Sequence, residues 1–303
     1  MIITHRIAGI VLRVESEAWL PLLQDEPFAL FRIDDVEPDV VVRIHRVSAD
    51  SLTLPPPTGL ERALLSNHTL GWPGRLESRL LCSPPVRVML QSWPERQSQV
   101  EAEICESWVI IRDFDRRTVD MFYLSEPARH PAEDYVAGHY SRLFSTFLPS
   151  FSAVLVHGAS MIRGGRAPVF LGASGAGKTT VVGLAGRVPI LSDDQVVLRR
   201  QGGVSTAWAT PLAKKTSGPC VAEIGGLFLL EMGRRFELTL LRPADVVQCL
   251  WAATYFNTSL PTRNHKNQLF ATLYDISHQT PAYRMRFPKD YVDWDAIDAA
   301  MVR

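Results

Sequence analysis

The chain has 303 residues, 46% of them hydrophobic, which is enough to bury one large core or, as we expect, two modest ones. Lys plus Arg equal Asp plus Glu at 32 each, so the net charge favours neither a nucleic-acid partner nor a membrane surface. The four cysteines lack CxxC spacing and the N-terminus lacks the apolar stretch of a signal peptide, so we expect a cytoplasmic protein.

The first half of the chain has short apolar and β-branched runs, separated by proline clusters, which are typical of strands. We predict strands over residues 6–14, 40–47, 79–90, 100–112 and 118–124. Residues 132–148 carry aromatic and apolar side chains at helical spacing and predict an amphipathic helix. We therefore expect a β-rich α+β domain over residues 1–148, with a role in substrate recognition or assembly.

From residue 149 the pattern changes to α/β, and we expect a second domain over residues 149–303. It opens with a strand at residues 153–156. The Gly164-Gly165 dipeptide predicts a hairpin between the two segments that flank it. A further apolar strand over residues 189–198 is interrupted by two adjacent acids.

Residues 172–179 read GASGAGKT, the Walker A pattern of a phosphate-binding loop. Its glycines permit the dihedrals that turn successive N–H groups toward phosphate oxygens, Lys178 would neutralise the β and γ phosphates, and Thr179 would ligate Mg²⁺. The pattern predicts ATP and Mg²⁺ as cofactors. The nucleotide-binding residues would be Gly172, Ala173, Ser174, Gly175, Ala176, Gly177, Lys178, Thr179 and Thr180.

The neighbouring segments support this interpretation of the motif. Residues 167–171 form a short apolar run that suits a buried strand, and a helix is expected from Lys178 to about Arg187. Strand, loop and helix in this order are the context that the motif requires. A flexible glycine loop without a ligand is the alternative.

Asp193 and Asp194 interrupt an apolar strand, where unsatisfied acids are costly. Because adjacent strand residues point to opposite faces, one acid could face the phosphate loop while the other serves a different partner. We expect one carboxylate to bind Mg²⁺ and the other to accept the proton of an attacking hydroxyl, so both are candidate metal ligands with Thr179. An Asp-Asp turn that caps a local segment is the alternative.

His157 precedes the hairpin that would return the chain beside the loop, so it is expected near the γ phosphate. An imidazole there could move a proton or contact the transferred phosphate. A structural histidine bonded to a neighbouring carbonyl is an equal alternative on sequence grounds.

VHGAS, the hairpin, GASGAGKTT and LSDDQVVL, over residues 153–198, resemble the HPr serine kinase/phosphorylase family in order and spacing. The resemblance implies an α/β fold with the P-loop core that this family shares with phosphoenolpyruvate carboxykinase. It implies that His157, Lys178 and Asp194 act on a protein serine and that Thr179 holds Mg²⁺. It also places Arg263 and the Lys214-Lys215 pair where substrate and phosphate contacts lie in the family, and a solvated surface charge is the alternative for each.

Residues 280–288, TPAYRMRFP, resemble the ending of stand-alone HPr kinase-like proteins of bacterial gene clusters. Some of these phosphorylate a lasso-peptide precursor at its C-terminal serine, so the resemblance implies a peptide or protein acceptor and allows a homo-oligomer. The EVRGxG signature of the bifunctional enzymes has no clear counterpart here. We therefore do not predict the reverse reaction, the phosphate-dependent dephosphorylation of the protein. Arg284 and Arg286 alternate within a strand-like segment and share a face, where they would bind an anion or pair with acids.

Three functions are compatible with these residues. The first is an ATP-dependent serine kinase that acts on a peptide or protein, and we expect a lasso-type precursor peptide with a C-terminal serine as its acceptor. The second is a nucleotide-binding ATPase or switch protein without a phosphoryl acceptor, and the third is a small-molecule kinase. A histidine beside an acid pair favours the kinase, and a separate N-terminal domain favours a large acceptor.

Overall fold

The computed structural model describes residues 1–16, 23–34, 36–56, 58–59, 69–71, 79–91, 100–104, 108–125, 140–255 and 263–301. They form mixed α/β structure with two β-sheets. The chain divides into two compact units, the first comprising Met1–His5, Ile10–Asp25 and Arg32–Phe147, and the second Arg6–Gly9, Glu26–Phe31 and Leu148–Arg303. The roles expected for the two predicted domains stay predictions.

The first sheet has seven strands in the described residues, in the spatial order β1-β2-β3-β7-β6-β5-β4. Strands β2, β3 and β7 pair in parallel, whereas β7, β6 and β5 form an antiparallel run. Leu80, Leu81, Val86 and Leu90 form an apolar cluster with residues from these strands. The strands are β1 (Ile2–Ile7), β2 (Ile10–Ser16), β3 (Val40–Ser48), β4 (Thr69–Gly71), β5 (Val100–Ile104), β6 (Trp108–Asp113) and β7 (Thr118–Ser125).

The strand predicted over residues 79–90 is wrong. Arg79–Cys82 is a short 3₁₀ turn and Pro84–Gln91 is a helix, α1, in which the backbone N–H of Arg87 donates to the carbonyl of Ser83. Proline is tolerated in the first helical turn, where its missing N–H removes no internal hydrogen bond. Pro84 and Pro85 therefore begin a helix and do not lie in a strand.

Three other predicted elements have different bounds. Residues 6–14 contain a turn at Ala8-Gly9, where both residues have positive φ, so two strands replace one. Residues 100–112 likewise contain β5 and β6. Of the predicted helix over residues 132–148, residues 140–145 are helical, while residues 132–139 lie outside the described part of the chain.

The second sheet has eight strands in the described residues, and its main path runs β10-β8-β11-β12-β13-β15-β14. Strand β9 pairs antiparallel with β8 and parallel with β13, which also pairs in parallel with β15. The strands are β8 (Ala153–Met161), β9 (Arg166–Leu171), β10 (Ile190–Ser192), β11 (Gln195–Gln201), β12 (Val204–Trp208), β13 (Val221–Met232), β14 (Glu237–Leu240) and β15 (Ala282–Phe287).

Four helices of the described residues accompany this sheet. They are α2 (Lys178–Leu184), α3 (Pro243–Ala253), α4 (Arg263–Gln279) and α5 (Trp294–Met301). Apolar side chains of β8, β9, β13 and β15 pack with those of α2 and α5 in one buried cluster that includes Phe170, Phe228 and Phe287. In the described part of the chain, none of the helices combines the length and apolar character that crossing a membrane requires.

His5 is a buried polar group of the first unit with a hydrogen-bond partner at each ring nitrogen. Its Nε2 lies 3.2 Å from the carbonyl of Leu23 and its Nδ1 lies 3.0 Å from the Tyr140 hydroxyl. Burial lowers the pKa of His5 to about 4, with the positive charge of Arg32 acting in the same direction. The hydrogen bond to the Leu23 carbonyl opposes this shift.

Acid should therefore destabilise the first unit through His5. Because the pKa of His5 is lower in the folded chain than in the unfolded one, the unfolded state binds more protons between about pH 6.5 and pH 4. The contribution of neutral His5 to the free energy of unfolding is fully present above this pH window. The free energy of unfolding falls by up to about 3 kcal/mol as the pH drops through the window. Urea unfolding at several pH values tests this. His5→Gln should flatten the pH dependence, and an unchanged slope would contradict it.

Candidate active site

The predicted phosphate loop lies between β9 and α2, so strand, loop and helix follow in the predicted order. Gly172, Gly175 and Gly177 all have positive φ, of 157°, 81° and 101°. The side chains of Ser174 and Thr179 are exposed. These are backbone dihedrals that glycine adopts readily, and binding of a triphosphate to the loop stays a prediction.

Two of these glycines are also required by the packing around them. A Cβ atom at Gly172 would lie 2.8 Å from the Cβ of Ala176, and one at Gly177 would lie 2.6 Å from Cζ of Phe287. Phe287 is fully buried at the end of β15. The loop therefore lies against the core, which holds its backbone in place.

Lys178 is 6% exposed, and its ammonium group lies over the loop. Its Nζ donates to the carbonyls of Gly172, at 2.8 Å, and Ala173, at 3.0 Å. Burial lowers the pKa of Lys178, and the negative charge of Asp194 acts in the opposite direction. A partly desolvated cation at a glycine loop is suited to bind an anion, because little water has to be removed from it.

The pairing of β8 brings two further candidate residues to the loop. On one side Gly158 pairs with Leu171, the last residue of β9 before the loop. On the other side His157 pairs with Gln195, the first residue of β11, and the N–H of Gly158 donates to the carbonyl of Asp194 at 3.0 Å. His157 and Asp194 therefore lie level with the start of the glycine loop, although they are distant in sequence.

His157 contacts two oxygen atoms through the same ring nitrogen. Its Nδ1 lies 3.1 Å from Oδ1 of Asp194 and 3.0 Å from the hydroxyl of Tyr255. The side chains of His157 and Asp194 are 32% and 44% exposed, so an incoming substrate can reach both. Burial, followed by the charge of Asp194, raises the pKa of Tyr255 to about 12, which keeps its hydroxyl protonated near neutral pH.

Asp193 and Asp194 have different environments, and they lie in a bend between β10 and β11 rather than inside one strand. Asp193 is 5% exposed, and its Oδ1 accepts the backbone N–H groups of Lys214 and Lys215, both at 3.0 Å. Its carboxylate thus holds the Lys214-Lys215 segment in place. Asp194 is the acid of the pair that lies beside His157.

The basic residues that the sequence predicted for the site have different surroundings. Arg263 begins α4, but its side chain is outside the described residues, so its predicted role is untested. Lys214 and Lys215 are exposed. Arg284 and Arg286 share the exposed face of β15, as predicted, and both pair with Glu231.

Tyr255 was not among the candidate residues. It follows α3, and its N–H donates to the carbonyl of Leu155 at 3.0 Å, which brings its ring beside β8. No short motif surrounds it, and aromatic residues are common in cores. Its contact with His157 joins two residues that are 98 positions apart in the sequence. A local sequence pattern does not show such a contact.

The loop region has accessible oxygen atoms, which Mg²⁺ requires in order to bind together with ATP. Among the described residues, no group of three or more His, Cys, Asp or Glu side chains is arranged to hold a metal ion. Mg²⁺ in nucleotide sites usually binds one or two protein oxygens together with substrate phosphates. The exposed hydroxyl of Thr179 and the accessible carboxylate of Asp194 are oxygen ligands of the kind that Mg²⁺ prefers.

A substitution at Gly177 should strain the loop. Gly177→Ala places a Cβ within 2.6 Å of Phe287 at a φ of 101°, so the free energy of unfolding should fall by about 1–3 kcal/mol. Gly183→Ala is the matched control, because Gly183 lies in α2 with open space around it and alanine favours helix. Thermal or urea unfolding measures both, and equal stability of the two variants would contradict the packing argument.

Removal of the Asp194 charge should lower two pKa values together. The carboxylate stabilises the ammonium of Lys178 and destabilises the phenolate of Tyr255, so it raises both pKa values. In Asp194→Asn both should fall, as followed by NMR of labelled lysine and by phenolate absorbance. Asp275→Asn, a similarly exposed carboxylate paired with Arg200, should change neither. Unchanged values in Asp194→Asn would show that this acid does not influence the loop.

No protein-family model matches this chain. No curated protein matches it either. Among solved structures, the chain is similar to the HPr(Ser) kinase/phosphatase from Coxiella burnetii at 7% identity and a TM-score of 0.25, over 49% of this chain and 93% of that chain. A similarity of this size is too low to support a shared fold or activity.

Proposed function

We propose that this chain is an ATP-dependent phosphotransferase that transfers the γ-phosphate to a serine hydroxyl of a peptide or protein. One observation carries the proposal: the register of β8 places His157 and the accessible Asp194 at the start of a glycine loop that holds a buried lysine. A loop alone serves many nucleotide-binding proteins. The carboxylate of the acid–histidine pair beside the loop can accept the proton that an attacking hydroxyl must lose.

The residues have separate roles in the transfer. The loop N–H groups and Lys178 bind the triphosphate. These contacts neutralise the negative charge of the phosphates and orient the γ-phosphorus. The acceptor oxygen forms a bond to that phosphorus while the bond from phosphorus to the β–γ bridging oxygen breaks, and ADP leaves with the bond's electron pair. The acceptor's proton goes to the carboxylate of Asp194, which is 44% exposed and therefore reachable.

His157 lies where it can orient this carboxylate. Its Nδ1 is 3.1 Å from Oδ1 of Asp194, so a hydrogen bond between them would hold the acid at the edge of the loop. Thr179 and Asp194 would hold Mg²⁺, which supplies charge neutralisation on the phosphates when bound. Asp193 is assigned to positioning of the Lys214-Lys215 segment, because its Oδ1 accepts two backbone N–H groups there.

The choice of a peptide as the acceptor rests on the resemblance of residues 280–288 to kinase-like proteins of peptide gene clusters. In the structure these residues include β15, whose Tyr283, Met285 and Phe287 are buried in the core. The alternation of this segment is therefore also a packing pattern, so it does not by itself identify a substrate. We propose a peptide with a C-terminal serine, of the lasso-precursor type, as the first acceptor to examine.

The test uses the full chain with ATP, Mg²⁺ and three synthetic peptides that carry a C-terminal serine, an internal serine or alanine at both positions. We expect a mass gain of about 80 Da on a serine peptide, from addition of one phosphate group. Phosphate release without peptide modification would instead favour the ATPase alternative. No consumption of ATP and no binding of ATP would overturn the proposal.

Variants separate binding from chemistry in the same assay. Lys178→Met should weaken ATP binding by tenfold or more, whereas Lys266→Met, an exposed lysine of α4, should not. Asp194→Asn should lower kcat by about 10²–10⁴, because it removes the proton acceptor. Asp275→Asn is its control. Full transfer by Asp194→Asn would remove Asp194 from the mechanism.

A further inference from the structure

Apolar side chains are exposed at the edge of the second sheet where the glycine loop lies. Met232 ends β13 and is 50% exposed, and Tyr291, which follows β15, is 53% exposed. A Cβ atom at Gly177 would lie 3.5 Å from Sδ of Met232, so this side chain lies against the loop. Exposed apolar side chains that lie together are typical of ligand sites, whereas single ones are ordinary surface.

Strand pairing and ring contacts join these side chains in one row. Met232 pairs with Phe287 across the ladder between β13 and β15. Phe236 immediately precedes β14 and packs against the buried cluster that contains Phe287. The ring of Tyr291 meets that of Phe236 edge to face, with centroids 6.5 Å apart and an angle of 85° between their planes. A row of apolar side chains therefore runs from Gly177 of the loop to Tyr291.

The order of the strands gives the direction in which a bound triphosphate would run. Strand β9, which leads into the loop, lies between β8 and β13. His157 and Asp194 are on the β8 side, where the proposed function puts the γ-phosphate and its acceptor. The row of apolar side chains is on the opposite side, with β13 and β15. The end of the nucleotide that carries the base would therefore point toward Tyr291.

We propose that Met232, Phe236 and Tyr291 form the surface that binds the base of the nucleotide, an inference that rests on the proposed function. The flat face of a nucleobase stacks on aromatic rings, and a methionine sulfur makes favourable contacts with such rings. Tyr291 supplies the exposed ring, and Phe236 supports it through the edge-to-face contact. Met232 fills the space between this ring surface and the glycine loop.

The first arm of the test compares MgATP with magnesium tripolyphosphate, because only ATP carries a base. In calorimetric titrations, Tyr291→Ala should weaken ATP binding about tenfold and leave tripolyphosphate binding within about twofold, the pattern that loss of one stacking contact produces. Tyr291→Phe keeps the ring and should bind both ligands as the wild type does. Tyr274→Ala is the matched control, because Tyr274 of α4 is 47% exposed, and it should change neither affinity.

The second arm detects the contact itself. In protein labelled with ¹³C at the methionine methyl groups, the Met232 signal is assigned through Met232→Leu. This signal should show a nuclear Overhauser effect to the adenine ring protons of bound ATP. Absence of the effect in the ATP-saturated protein would overturn the inference.

The outcomes separate this inference from the proposed function. Unchanged ATP affinity in Tyr291→Ala would overturn the inference, and so would an equal loss of affinity for both ligands. A raised KM for the serine peptide with unchanged ATP affinity would assign the surface to the acceptor and overturn it as well. A wild type that binds ATP through Tyr291 but phosphorylates no peptide would overturn the serine kinase proposal and leave the base site standing. Binding of neither ligand by the wild type would overturn both.

Discussion

The pairing of β8 with β9 on one side and β11 on the other is the constraint on which the candidate site depends. Gly158 pairs with Leu171, where β9 ends in the glycine loop, and His157 pairs with Gln195, where β11 begins after the acids. A shift of one residue in either register would turn His157 to the other face of the sheet. Burial of β8 opposes such a shift, because every residue of the strand except His157 is buried.

The two adjacent acids show how the same side-chain type acquires two roles. Asp193 is buried and its Oδ1 accepts two backbone N–H groups, which satisfies the charge inside the protein. Asp194 is accessible, and its charge acts on both Lys178 and Tyr255, raising the pKa of each. One carboxylate therefore organises the backbone around the site, while the other is available for chemistry.

Local patterns predicted some elements well and others poorly. The Gly164-Gly165 hairpin is confirmed, because both glycines have the positive φ that a two-residue turn requires. The helix at Pro84–Gln91 was missed because its prolines also suit a break between strands. The hairpin at Ala8-Gly9 was missed because alanine rarely adopts positive φ, so the dipeptide carries a weaker turn signal.

The sequence by itself determined the glycine loop and the residue types near it, since a Walker pattern between an apolar run and a helix is a local property of Gly172–Thr179. The tertiary structure decided which acid meets His157, that Asp193 binds the Lys214-Lys215 backbone, and that Tyr255 shares the histidine nitrogen. Strand pairing over long separations sets these contacts. Burial and hydrogen bonding between distant segments stabilise these contacts. No short window of sequence contains both partners of such a contact.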